Sequence, residues 1–209
     1  PQVRGHGLEP WAAYWDMRLR LPQAPASEIQ AFLARWSGTY QEDRLRNDWL
    51  LLLGQRREWN LFETEWAAFR MKDDSEVRCY AIWAEHLRAP AAGSARLADE
   101  LRRLWYGQRE SEDACKGAAR QFYEDRQFSA LDIWRKARMA MDANRPRTLR
   151  EAVDIVAPKA ESALGQISSD ASRFLRDKSL ALGRQRKELI TLALIRLASE
   201  GLVKTLRNR

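Results

Sequence analysis

The chain has 209 residues, of which 45% are hydrophobic and 31% are charged. Ala, Leu and Arg together occupy 85 positions, whereas Val, Ile and Thr occupy only 17. Because the first three favour helices and the β-branched residues favour strands, this composition excludes a large β-sheet. The balance of apolar and charged residues also excludes a disordered chain. The length allows a sizeable core, in one domain or two.

The 36 basic and 29 acidic residues give a net charge of +7, and their distribution is uneven. Residues 1–100 have a net charge of −2, and residues 101–209 have a net charge of +9. A basic half is typical of a protein that meets an anionic partner, such as nucleic acid or an acidic polymer or surface. A solvated helical surface rich in Arg explains the same distribution.

In chain order, the first predicted helix opens at Glu9-Pro10-Trp11, because proline is tolerated in a first turn. Ser27 is expected to cap the second helix, with Gln30 completing a capping box. Gly38 is expected to end that helix, and the next is expected to stop near Gly54. Helical periodicity then continues along the chain, with later helices predicted near 112–124, 129–143, 148–157, 159–167, 170–177 and 184–200.

These segments amount to about twelve helices, mostly short and joined by short polar turns. Helices of similar length with short connections are expected to pair as antiparallel hairpins, and repeated hairpins stack into a solenoid. The sequence therefore predicts an all-α fold, an irregular right-handed α-solenoid or superhelix that forms a single domain over residues 1–209. A closed helical bundle is the alternative.

No transmembrane segment is expected, because the most apolar run, Leu189 to Ala198, has ten residues and contains Arg196, whereas a span needs about twenty. The chain begins at Pro1 without an initiator methionine. That beginning fits a secreted protein after cleavage and also fits a fragment of a longer protein.

The nine tryptophans all lie between Trp11 and Trp134. At helical spacing they are expected to belong mostly to the core, although several rings exposed along a groove could stack on sugars or bases. Cys79 and Cys115 stand 36 residues apart with no His or Cys at metal-ligand spacing, so no metal site is predicted. They are either buried thiols or one disulfide, depending on the compartment.

Motifs for catalysis or for a cofactor are missing from the sequence. It contains no glycine-rich phosphate loop, no Gly-x-Ser-x-Gly and no His-Glu-x-x-His, so no cofactor is predicted. His6 and His86 are expected to be solvated. Paired acidic residues such as Asp73-Asp74 are interpreted as surface charges, and no catalytic residue is assigned.

The order of several short motifs resembles the large soluble lytic murein transglycosylases, over residues 5 to 200. The opening is Gly-x-Gly-Leu-x-Pro-Trp-x-x-Tyr-Trp, from Gly5 to Trp15. The later motifs follow in the family's order: Arg44-x(4)-Trp49-Leu50-x-x-Leu53-Gly54, Cys79-Tyr80-Ala81-x-Trp83, Leu104-Trp105-x-Gly107, Cys115, Trp134-x-x-Ala137-x(2)-Ala140 and the helix from Arg186 to Glu200.

The resemblance implies the N-terminal superhelical region of a periplasmic enzyme that cleaves the bond between N-acetylmuramic acid and N-acetylglucosamine and leaves a 1,6-anhydro sugar. In that family one Glu in a C-terminal lysozyme-like domain is the acid and base. Glu-Ser occurs at Glu110-Ser111 and at Glu161-Ser162, and neither is followed by the family's later Gly-Leu-Met-Gln stretch, so the catalytic domain is expected to be absent and this chain inactive alone. A periplasmic location implies a disulfide between Cys79 and Cys115.

Three functions follow from this sequence. The first is a non-catalytic scaffold that guides peptidoglycan strands near the missing active site, with anion contacts expected at Arg135, Arg138, Arg145 and Arg147. The second is a helical-repeat module that binds another protein. The third, a basic cytosolic nucleic-acid binder, is not favoured, and no nucleic acid is expected as a partner.

Overall fold

The structure is a computed structural model that describes residues 5–90, 93–110, 112–177 and 183–207, the last seven of them by their backbone alone. The described residues form eleven α-helices, a 3-10 turn at Pro158–Ala160 and no strand. The predicted all-α class is confirmed. The chain folds into two compact units, the first unit (Pro1–Ala92) and the second unit (Gly93–Arg209). The predicted single domain over 1–209 stays a prediction.

The first unit contains five helices arranged around the third. Its helices are α1 (Glu9–Arg20), α2 (Ala26–Arg35), α3 (Tyr40–Arg56), α4 (Trp59–Ala68) and α5 (Ser75–Arg88). Each of the other four packs against α3. The core-facing side of α3 buries Leu45, Trp49 and Leu53 at i, i+4 and i+8, which is the stripe of an amphipathic helix.

The second unit contains the remaining six helices. They are α6 (Ser94–Gly107), α7 (Asp113–Glu124), α8 (Ala130–Asp142), α9 (Pro146–Val156), α10 (Glu161–Asp177) and α11 (Arg184–Arg207). Consecutive helices pack as pairs, α6 with α7, α8 with α9 and α10 with α11, and α11 also packs against α8. Many buried core positions are alanine, among them Ala137, Ala140 and Ala193. Small side chains let helices approach closely, which accounts for part of the alanine excess.

The ends of three helices differ from the glycine-based expectation. Helix α3 continues past Gly54 to Arg56, and Arg57 turns the chain with φ of 61°. Arg126 and Asn144 hold the same left-handed conformation after α7 and α8, with φ of 60° and 51°. After α8, the amide of Arg145 donates to the carbonyl of Ala140 at 2.8 Å, which is the hydrogen bond of a Schellman turn.

Gly54 has another role, close packing. A Cβ at this position would lie 2.4 Å from the ring of Tyr80. The ring of Tyr80 therefore lies directly on the backbone of α3, and only glycine leaves room for it. The glycine that the sequence suggested as a helix end is instead a contact between α3 and α5.

The predicted cap at Ser27 is wrong, because α2 begins one residue earlier, at Ala26, with Pro25 at the N-cap. The capping box occurs instead at Ser129 and Asp132, at the start of α8. The break predicted between 167 and 170 is confirmed, since Asp170 leaves the helical conformation inside α10 and its carboxylate accepts from the amide of Arg173.

Candidate functional site

Three of the four arginines expected to contact an anion form ion pairs within the second unit, and two of these, Arg138 and Arg147, do not line the cavity described below. Arg138 on α8 donates to the carboxylate of Glu188 on α11. Arg147 in the first turn of α9 pairs with Glu151 one turn later, at 3.1 Å. These pairs satisfy the two guanidinium groups locally, so neither residue carries the anion contact proposed below.

Of the other two arginines, Arg145 lines a cavity of the second unit, and Arg135 contacts one of the residues that line it. Arg145 lines this cavity and also pairs with Glu110 at 2.6 Å. Arg135 is exposed, and its guanidinium carbon lies 5.1 Å from the ring centre of Tyr106, another lining residue. This distance is that of a cation–π contact, which leaves the guanidinium N–H groups free to meet a ligand.

We call this space the Lys136 cavity. It has a volume of about 330 Å³ and lies where the end of α6 meets α8 and the start of α9. Three cations line it, Arg109, Lys136 and Arg145, and its apolar wall contains Met139 and two alanines, Ala140 and Ala143. Its volume falls at the lower end of the range for small-molecule sites.

Lys136 is the unusual residue of this cavity, because only 2% of it is exposed. Its ammonium donates to the carbonyl of Trp105 and, at 2.9 Å, to that of Gln108. These carbonyls belong to the C-terminal end of α6, where helix carbonyls lack partners within the helix and favour a cation. No carboxylate among the described residues forms an ion pair with Lys136.

Burial sets the ionisation of Lys136 and Tyr106. Desolvation lowers the pKa of Lys136 to about 8, and the charge of Glu110 opposes that shift. Desolvation and the charge of Asp132 raise the pKa of Tyr106 to about 12, and its hydroxyl donates to the carbonyl of Asp132 at 3.0 Å. Near neutral pH the cavity therefore contains an ammonium and a neutral phenol.

Gln108 supplies an acceptor in the same wall. Its amide nitrogen donates to the carboxylate of Glu112 and lies 3.0 Å from the sulfur of Cys115. These contacts place the amide oxygen on the other side, where it is buried and receives no hydrogen bond from any described residue. A buried acceptor without a donor costs about 1–3 kcal/mol, which a ligand N–H would recover.

The first unit also buries charges, in what we call the Arg46 cluster. Arg46 on α3 donates to Glu42 at 2.6 Å and to Glu65 on α4, and all three side chains are at most 9% exposed. Burial raises the pKa of Glu65, and the charge of Arg46 opposes that shift. Because carboxylates surround the guanidinium on both sides, the cluster joins α3 to α4 and offers no free charge to a ligand.

The neighbouring Asp43 completes this polar core. It is 2% exposed, and its carboxylate accepts from the backbone amides of Arg70 at 3.0 Å and Met71 at 2.8 Å. It thereby fixes the segment between α4 and α5 against α3. Periodicity did not identify these residues, since their burial depends on partners 19 to 28 residues away.

The tryptophans fall into three groups in the structure. Trp49, Trp105 and Trp134 are core residues, in agreement with the expectation from their spacing. Trp11 and Trp15 are exposed by 38% and 50%, and the four others, Trp36, Trp59, Trp66 and Trp83, are half-buried. The exposed rings lie on α1 in the first unit.

Sequence reasoning missed Lys136, Arg109 and Gln108. A signal for Lys136 was present, because it follows Ile133 by three residues and precedes Ala140 by four, positions on one helix face. A lysine within an apolar stripe is a candidate for a buried cation. His86 is buried, so the expectation that it is solvated is wrong. Ser111 lies outside the described residues.

Both cysteines, Cys79 and Cys115, are disulfide-bonded, so the disulfide implied by the resemblance is present. In the part of the chain that the structure describes, no three His, Cys, Asp or Glu side chains are grouped to hold a metal ion. None of the helices in this part of the chain has the length and hydropathy of a membrane span.

Comparisons with known proteins identify a fold relationship. No family model matches this chain, and no curated protein sequence matches it. Its fold is similar to that of an inactive mutant of the lytic transglycosylase Slt from Pseudomonas aeruginosa, with a TM-score of 0.60, 19% identity and coverage of 98% of this chain and 34% of that one.

A second similar structure is a complex of the 70-kDa soluble lytic transglycosylase with bulgecin A. The TM-score is 0.67, the identity 15%, and the match covers 95% of this chain and 32% of that one. This chain therefore spans about a third of the length of both structures. These matches confirm the resemblance as one of fold, and with it the predicted all-α superhelical class. The handedness of the superhelix stays a prediction.

Proposed function

We propose that this chain is a non-catalytic scaffold region of a periplasmic lytic transglycosylase, and that it holds or guides peptidoglycan near a catalytic domain elsewhere in the same protein. The observation that carries the proposal is the fold likeness, which covers nearly all of this chain and only a third of two lytic transglycosylases. No catalytic residue is assigned to the chain, and it is expected to be inactive alone.

The second unit provides the surface for the proposed contact. Peptidoglycan is an anionic glycan–peptide polymer, so cations that are not neutralised by the protein favour its binding. Arg109 and Arg135 form no ion pair with described residues. Arg109 lines the Lys136 cavity together with Arg145, and Arg135 contacts Tyr106 of the cavity lining. Among the arginines that the sequence suggested, Arg135 and Arg145 are therefore the ones assigned to this contact.

The disulfide supports the proposed location. Disulfides form and persist in oxidising compartments such as the periplasm, and they are rare where glutathione and thioredoxin keep thiols reduced. The bonded state of Cys79 and Cys115 is thus consistent with a periplasmic protein. It also argues against the cytosolic nucleic-acid binder.

Sedimentation with insoluble peptidoglycan tests the proposal. We expect the chain to sediment with peptidoglycan at low salt and to be released in part as salt is raised, because the contact depends on charge. Arg109→Glu/Arg135→Glu should bind less, whereas Arg147→Glu, which changes one charge away from the cavity, should reduce binding little.

Absence of wild-type binding at both salt concentrations would remove the guiding role. A parallel titration with a DNA duplex addresses the alternative. Tight, steeply salt-dependent DNA binding without peptidoglycan binding would favour the nucleic-acid function instead.

A further inference from the structure

The Lys136 cavity combines features that the fold itself does not require. A lysine that only capped α6 would need the carbonyls of Trp105 and Gln108, and these use two of the three N–H donors of an ammonium. One donor remains, next to an open space of about 330 Å³. The two further cations of the lining, Arg109 and Arg145, leave the cavity positively charged.

We propose that the Lys136 cavity binds the carboxylate end of a peptidoglycan stem peptide, with Arg109, Lys136 and Arg145 on the carboxylate and the amide oxygen of Gln108 on a peptide N–H. This inference rests on the proposed function for the origin of its ligand. The chemistry of that ligand, a carboxylate next to an amide N–H, is inferred from the cavity alone.

The charge of the cavity selects the carboxylate. Arg109 is exposed and forms no ion pair with described residues, and Arg145 shares its guanidinium with Glu110 through one nitrogen. A guanidinium has five N–H donors in a fixed fork, so both side chains can still donate to a ligand. The hydroxyl groups of a neutral glycan would leave Arg109 and Lys136 without an ion-pair partner, since Glu110 pairs with Arg145 alone among the three cations.

Gln108 selects a ligand that also donates a hydrogen bond. Its buried oxygen has no donor among described residues, and a second anionic oxygen placed there would be repelled. A phosphodiester backbone offers oxygens alone, whereas a peptide offers N–H groups beside its carboxylate. The apolar wall at Met139, Ala140 and Ala143 fits the methyl groups of alanyl residues.

Calorimetric titration with N-acetylmuramyl-L-alanyl-D-isoglutamine tests the inference, since this soluble probe has one carboxylate and several amide N–H groups. The matched probes are its carboxamide analogue, which lacks the charge, chitotriose, which lacks peptide and charge, and inorganic phosphate. We expect binding of the carboxylate probe and a loss of about tenfold or more with the carboxamide, the size of one charge-assisted hydrogen bond.

Two variants distinguish binding at this cavity from a general effect of the positive charge of the chain. Arg109→Ala removes an exposed side chain with no ion pair, so the fold is expected to stay intact, and affinity should fall about tenfold. Arg147→Ala is the matched control, because it removes the same charge from a residue that pairs with Glu151 outside the cavity. It should change affinity less than twofold.

The outcomes of these titrations are distinct. The peptide-carboxylate site would be overturned if Arg109→Ala and Arg147→Ala lost the same affinity for the carboxylate probe. It would also be overturned if the carboxamide analogue or inorganic phosphate bound as tightly as that probe. If wild type still sediments with insoluble peptidoglycan in that case, the proposed function stands without this site. If the probe binds through Arg109 but peptidoglycan does not sediment the chain, the cavity stands and the scaffold function fails.

Discussion

The two units bury a cation in opposite ways. In the first unit, Arg46 lies between the carboxylates of Glu42 and Glu65. In the second unit, Lys136 is also buried, but its ammonium donates to backbone carbonyls at the end of α6 and forms no ion pair with a carboxylate among the described residues. The neutralised cation holds two helices together, and the cation without a carboxylate lies beside an open cavity.

The difference distinguishes a buried charge that holds helices together from a buried charge that is available to a ligand. A buried ion pair contributes little net stability, but removing one partner leaves the other charge buried and unpaired. A buried cation held by carbonyls keeps its positive charge available, and a ligand carboxylate can supply the missing partner. Substitutions in the two units should therefore differ in how much they change the free energy of unfolding and in how that change depends on pH.

The largest effect is expected from Arg46→Met in the first unit. The substitution leaves Glu65 buried without its cation and Glu42 with Arg70 alone, at a cost of about 3–5 kcal/mol in the free energy of unfolding. Urea denaturation followed by circular dichroism measures the loss. Arg20→Met, which breaks exposed pairs with Asp16 and Glu28, is the control and should leave the midpoint near that of wild type.

A smaller loss of about 1–3 kcal/mol is expected from Gly54→Ala, because the added methyl overpacks the contact with Tyr80. Gly165→Ala is its counterpart in the second unit. Gly165 lies within α10 with nothing within 4 Å of a Cβ, so alanine should stabilise the helix by about 0.5–1 kcal/mol. Equal shifts of the two denaturation midpoints would show that Gly54 is not a packing residue.

The depressed pKa of Lys136 should make the stability of the chain depend on pH. Its pKa is about 8 in the folded chain against 10.5 for an ordinary lysine, so between these values the unfolded state binds more protons and stability rises with pH. The two pKa values together predict a gain of about 2 kcal/mol in the free energy of unfolding between pH 7.5 and pH 10. Urea midpoints at pH 7.5 and 10 measure it.

Lys136→Met is the control for this slope. Tyr106, with its pKa raised to about 12, contributes the opposite slope above pH 10 in both proteins. The difference between wild type and Lys136→Met therefore isolates the lysine. An identical pH profile for both proteins would contradict the assignment of a depressed pKa to Lys136.

Helix positions could be predicted from the sequence because they depend on neighbours three and four residues apart. Helix ends were less predictable, since Arg57 turns the chain after α3 while Gly54 serves the packing of Tyr80. A glycine has the same appearance in a sequence whether it ends a helix or admits an aromatic ring. Only the tertiary contact separates the two roles.

The candidate site could be predicted in part. Arg145 lines the Lys136 cavity and Arg135 contacts Tyr106 of its lining, but Arg138 pairs with Glu188, 50 residues away along the chain. Periodicity contains no information about such distant partners. The central group, Lys136, lies on the same helix face as Ile133 and Ala140, and its contacts with the carbonyls at the end of α6 could not be predicted from that position.

Hydrogen–deuterium exchange of the wild-type chain, with and without N-acetylmuramyl-L-alanyl-D-isoglutamine, tests the central claim most directly. The claim predicts slower exchange at residues 105–110 and 136–148, around the Lys136 cavity, and no change at residues 39–46 around Arg46. Protection confined to the first unit, or no protection at a saturating concentration of the probe, would contradict it.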